Sequence, residues 1–216
     1  QLVNAGNWRT ADEVKLLDAE RWSYTANEVV ALNRYYTGVH VNPKNPSRAG
    51  YALDSGDYYT EPSALMNFRG LPVSDKQAVG RPFIVTESTW VAPLAYEAEA
   101  PFLIGAYMAL NGMDGYYWFA TGSPEFDLNP SKFPLANPSI MGGFPGAALI
   151  YRRGYVRKAP AAVHEERALE DVWQRSSPLV AEDPGFDPTR DSGNLPKTSA
   201  VKAGVNAMAF LVGPRQ

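Results

Sequence analysis

The chain has 216 residues, 45% of them hydrophobic and 20% charged, with a formal net charge of −3. That balance suits a globular protein of one large domain or two small ones, and it supplies no basic surplus for a nucleic-acid partner. No apolar run approaches the roughly 20 residues that cross a bilayer, so no membrane partner is expected, and zero cysteines exclude disulfides and thiolate metal sites.

In chain order, Leu2 to Trp8 reads as a short strand ending in Asn7 and Trp8, two plausible cleft residues. Thr10-Ala-Asp-Glu13 follows as a capping-box pattern. Glu20 to Tyr36 carries helix signals. Gly38 to Asn42 is the second strand candidate, closed by Pro43, with His40 and Asn42 two apart and so on one side of it. Residues 43–80 form a long insertion rich in Pro, Gly, Asp and Tyr, a kind of segment that is usually functional or mobile. Gln1 opens straight into the first strand with no signal peptide in view, so the natural start is expected further upstream.

Arg81-Pro-Phe-Ile-Val-Thr-Glu-Ser-Thr-Trp90 organises the rest. Phe83, Ile84 and Val85 are a bulky apolar run entered through a proline, the pattern of a strand buried on both faces. The run stops at Glu87, which puts a carboxylate at the C-terminal end of a core strand, where parallel α/β sheets place their chemistry. A rigid strand end suits a nucleophile or a general base; the bland role is a cap or an arginine partner.

Pro93 to Asn111 is the clearest helix, with Leu103, Tyr107 and Leu110 at i, i+4, i+7 and Gly112 as its stop. Tyr116 to Ala120 is a fourth strand, and a further helix includes Gly146 to Tyr151 and ends near Gly154. Strand and helix alternate, which implies parallel strands joined by crossover helices. The remainder mixes a helical turn at Glu165–Gln174 with coil and ends in a strand-like run, Ala207–Val212.

The run from Arg81 to Ala120 resembles strands seven and eight of the clan A glycoside hydrolases, which are retaining (β/α)8-barrel (TIM-barrel) enzymes. The resemblance implies that Glu87 is the nucleophile at the end of strand seven and that Trp118 floors the subsite holding the scissile sugar. It gives His40 the place at the end of strand six, near the nucleophile. Residues 1–155 would then be the C-terminal half of the barrel, about its last four βα units, and residues 156–216 an extension packed on it. The expected partners are a carbohydrate substrate and the N-terminal half of the barrel, from the same parent chain or a separate one.

Retaining hydrolysis needs two carboxyls about 5–5.5 Å apart. In this clan the acid/base follows an asparagine at the end of strand four, which would lie before Gln1. Asn27-Glu28 is the only Asn-Glu in the chain and sits in a helix-forming run instead. The implied reaction is hydrolysis of a β-linked oligo- or polysaccharide, with secretion or a periplasmic location following from that substrate class. Trp90, three residues past Glu87, would wall the cleft, and Asn42 would share a face with His40.

Two alternatives stand beside this: a carbohydrate-binding protein that keeps the aromatic platform without hydrolysing, and a barrel lyase or isomerase using Glu87 as a base. No cofactor is expected. Gly142-Gly143-Phe-Pro-Gly146 lacks the lysine of a phosphate loop, and His40 and His164 lie far apart without a matching carboxylate spacing for a metal. Ser88 lacks the Gly-x-Ser-x-Gly elbow of an esterase.

Overall fold

The computed structural model describes residues 2–10, 16–36, 55–56, 63–66, 70–92, 94–121, 124–125, 133, 135–176 and 178–180. Helix α1 spans Leu17–Tyr24, with Leu17, Asp18 and Arg21 on its buried side and two acids in the first turn, where the helix dipole favours them. Thr25 closes it, its amide and its hydroxyl both donating to the Trp22 carbonyl. After a short turn the chain extends into strand β1, Val30–Asn33, all four residues buried. The Glu20–Tyr36 helix therefore splits in two. The β-branched pair Val29-Val30 opens an alternation in which Val30 and Leu32 face the core, and that burial outweighs the helix propensity of the preceding residues.

Strand β2 is Phe83–Ser88 and strand β3 is Gly115–Trp118. They form one sheet in the order β1-β2-β3, parallel throughout. Helix α2, Ala100–Asn111, starts with Pro101 in its first turn and ends at Gly112, whose φ of 66° is the left-handed stop that glycine allows. Helix α3, Pro138–Met141, is capped by the Asn137 side chain, which accepts from the Ile140 amide. Helices α4, Phe144–Arg152, and α5, Leu169–Trp173, complete the described α-helices.

Among the described residues this is an open three-stranded sheet with helices and not four consecutive units of a (β/α)8 barrel, and the half-barrel expectation is corrected accordingly. The N-terminal stretch explains part of the difference. Leu2 to Trp8 runs beside β1 without joining it as a strand: the Glu28 and Val29 amides both donate to the Val3 carbonyl, and the Asn33 amide to the Asn7 carbonyl. The Gly38–Asn42 strand, the Thr10–Glu13 capping pattern (beyond Thr10 itself) and the Ala207–Val212 run lie outside the described residues. Within the long insertion, Leu71 to Gln77 is buried, and the Asn111 amide nitrogen donates to the Val73 carbonyl at 2.9 Å, so this part is core rather than loose loop.

One face of the sheet carries the core. Val30, Leu32, Phe83 and Val85 pack with Leu17 of α1, with Leu103, Ile104 and Met108 of α2, and with Leu71 and Val73. Gly105 lets α2 and α4 close together, since a Cβ there would lie 2.8 Å from the Ala147 carbonyl oxygen. Side chains opposite one another in a ladder share a face. The other face therefore carries Ala31 and Asn33 from β1, Ile84 and Thr86 from β2, and Tyr117 from β3.

Candidate functional site

The register slips at the end of β2. Leu32 lies opposite Val85, but Asn33 lies opposite Glu87; on the other side Val85 faces Tyr116 and Ser88 faces Trp118. Thr86 and Glu87 thus occupy the space of one residue, which is a β-bulge. The bulge decides where the carboxylate goes. Strict alternation would set Glu87 in the core beside Phe83 and Val85. With the bulge, Ser88 takes the core side, where it meets the Tyr116 hydroxyl, and Glu87 turns to the opposite face with Asn33.

Glu87 is half-buried there, and its Oε2 accepts a hydrogen bond from the Tyr35 hydroxyl at 2.9 Å. Tyr35 is brought in by continuation of β1, where the Arg34 amide donates to the Glu87 carbonyl at 3.0 Å and keeps the two chains parallel. Beside them the Thr86 hydroxyl donates to Asn33 Oδ1 at 2.7 Å, which holds the bulge against β1. The Tyr35 ring belongs to a cluster of three: it packs on Phe133 (centroids 5.6 Å apart) and edge-on to Phe119 (6.3 Å), and Phe119 packs edge-on to Phe133 (5.3 Å).

The two tryptophans expected near Glu87 stand on the other face. Trp90 is fully buried, tilted against Tyr36 at 5.1 Å between centroids, with its indole N–H reaching Glu99 at 3.4 Å. It has no surface left for a ligand. Trp118 is half-buried against Trp90, Tyr116 and Phe144, on the side of α2 and α4. Alternation continued one residue past β3 puts its neighbour Phe119 on the Glu87 side, where it packs on Tyr35.

Asn7 meets β1 through its backbone, at Asn33, two ladder steps from Glu87. Trp8 is half-exposed, and its carbonyl accepts from the Tyr24 hydroxyl. His40 and Asn42 lie outside the described residues. Glu28, of the only Asn-Glu pair, accepts from the Val3 amide just before β1, at the end of the sheet away from Glu87. Its position separates it from the nucleophile candidate.

The sequence gives Tyr35, Asn33, Thr86, Phe119 and Phe133 no site role: Asn33 and Tyr35 fall in the helix-like run, and Thr86 and Phe119 in strands. The available signal was the spacing Ala31-x-Asn33-x-Tyr35, a period of two inside a run that otherwise suggests a helix. Among the described residues there is no group of three His, Asp or Glu side chains able to hold a metal ion, and no helix is long and apolar enough to cross a membrane. No protein-family model, curated protein or solved structure matches the chain.

Proposed function

We propose that the chain is a retaining glycosidase acting on β-linked saccharides, with Glu87 as the nucleophile. What supports this most is the Tyr35–Glu87 hydrogen bond at the carboxyl ends of parallel strands, the region where open α/β sheets bind their ligands. The tyrosine fixes one carboxylate oxygen and leaves the other free to attack an anomeric carbon, forming a glycosyl ester that water then hydrolyses. Phe119 and Phe133 give an apolar border suited to the C–H face of a sugar ring. The second carboxyl, which protonates the leaving group, is expected from outside this chain.

An aryl glycoside with a good leaving group departs without that acid, so it tests Glu87 by itself. Turnover of such a substrate should fall on the order of 10⁴-fold in Glu87→Ala. Added azide should restore product as a glycosyl azide of inverted configuration, because the small anion fills the space vacated by the carboxylate. Full turnover without Glu87 would sink the proposal. An unsaturated sugar product would favour the lyase alternative, and glycan binding without any turnover would favour a binding protein.

A further inference from the structure

Helix α4 has two unlike faces. Phe144, Ala147 and Tyr151 look inward: Phe144 packs edge-on to Trp118, Ala147 fills the space that Gly105 leaves on α2, and the Tyr151 hydroxyl donates to the Met113 carbonyl at 2.6 Å. Pro145, Ala148, Leu149 and Arg152 follow one another at i, i+3, i+4 and i+7, and all four are exposed. Together with Arg153 they line one shallow depression to which no other described element contributes. Leu149 keeps 51% of its surface exposed on the side where a surface helix ordinarily carries polar residues. The chain turns at Gly154, and Tyr155 follows with 69% of its surface exposed.

The charges beside this apolar stripe are all of one sign. Residues 135–164 contain Arg152, Arg153, Arg157 and Lys158 and no aspartate or glutamate, although the chain as a whole is acidic. All four cations are exposed, and none has an ion-pair partner among the described residues. The Ala159 amide donates to the Leu110 carbonyl at 2.9 Å and Lys158 lies over Gly112, so this basic segment is held at the C-terminal end of α2, beside the end of α4. The acids that follow, Glu165 and Glu166, line the cavity against α1 instead. A nucleic acid or an acidic polysaccharide matches the charge but sets nothing against Pro145 and Leu149. A bilayer surface of anionic lipid matches both, with its headgroups for the cations and its acyl boundary for the apolar side chains.

We propose that the outer face of α4 and the segment Arg152–Lys158 dock on a membrane surface rich in anionic phospholipid. Leu149 and Tyr155 enter the headgroup layer and the arginines pair with the lipid anions. Such a contact is peripheral and needs no spanning helix. Sedimentation of the full chain with vesicles of phosphatidylcholine, alone or with added phosphatidylserine, tests it. The chain should pellet with the mixed vesicles at low salt, stay in solution with phosphatidylcholine alone, and be released by added salt. Each arginine near an anionic surface contributes about five-fold in affinity, so Arg152→Gln with Arg153→Gln should lower the partition on the order of 25-fold. Lysine at both positions should keep most of it, and Leu149→Ser should weaken it several-fold. These side chains are exposed, so circular dichroism of the variants should match that of the parent. Equal pelleting with phosphatidylcholine alone, no pelleting with the mixed vesicles, or a partition indifferent to the two glutamines would each overturn the proposal. An oligonucleotide bound as tightly as the mixed vesicles, with Leu149→Ser without effect, would overturn it in favour of a nucleic-acid surface. No step of the test uses Glu87, so its outcome is independent of the glycosidase reading.

Discussion

Two carboxylates at the two ends of the sheet are treated in opposite ways. Asp18 is buried among three cations, and Glu87 is half-buried with one tyrosine donor. Burial, the largest influence on Asp18, pushes its pKa up. Arg21 and Lys76 outweigh it through their charges, aided by hydrogen bonds from Lys76 and Arg167, and the value falls from 3.8 to about 2. Three cations occupy most of the roughly four acceptor sites of this carboxylate. It ties α1 to Lys76 of the buried insertion and to Arg167 near α5, and its function is structural. Glu87 has, among the described residues, a single side-chain hydrogen bond, to Oε2, and under the proposed function its other oxygen is the one that reacts.

The comparison breaks most visibly at Asp18. Asp18→Ala removes the carboxylate shared by Arg21, Lys76 and Arg167, and removing one side of a buried pair costs about 3–5 kcal/mol. Urea unfolding should show a midpoint shift of that size, whereas Glu87→Gln should leave the midpoint nearly unchanged. If both variants destabilise equally, the structural and functional ends are not distinct.

Acid titration gives the next largest effect. The folded pKa of Asp18 lies below its unfolded value, so its contribution is fully present above about pH 4 and lost as pH falls toward 2. A shift from 3.8 to about 2 amounts to about 2 kcal/mol at neutral pH. Unfolding measured from pH 5 to 2 should lose that amount in the parent chain and much less in Asp18→Asn. Parallel curves for the two would remove Asp18 from the account.

How much of this was legible beforehand differs between the same two regions. Strand β2 and the body and end of helix α2 were readable because local signals agree with tertiary demand: a proline entry and β-branched core for one, apolar i, i+4, i+7 spacing with a glycine stop for the other, although the helix begins at Ala100 and not at Pro93. Glu87 was readable as a polar residue ending an apolar run. Its orientation was not, because a bulge depends on pairing with two neighbours and leaves no mark in β2 itself. The same one-residue uncertainty governs which of Trp118 and Phe119 shares a face with Glu87. The Asp18 network was invisible for a different reason: its members stand at positions 18, 21, 76 and 167, and nothing local announces that they converge. Strand β1 was missed because Ala, Leu and Asn after two valines fit a helix nearly as well as a strand.

The smallest effect on stability sharpens the contrast most. Tyr35→Phe removes the only side-chain hydrogen bond to Glu87 that the described residues show, while the ring keeps its packing on Phe119 and Phe133. The half-buried carboxylate can replace the lost donor with water, so the stability cost should stay under about 1 kcal/mol. Activity should respond more strongly. A hydrogen bond to a charged group contributes about 1.5–3 kcal/mol, and if the orientation it enforces is needed in the transition state, turnover of an activated glycoside falls on the order of 10- to 100-fold. At Asp18 stability falls and reactivity has no part; at Tyr35 reactivity falls and stability hardly moves. A Tyr35→Phe chain that unfolds early would make the tyrosine a core residue that happens to touch a carboxylate. One that turns over at full rate would leave Glu87 without the orientation on which its proposed role depends.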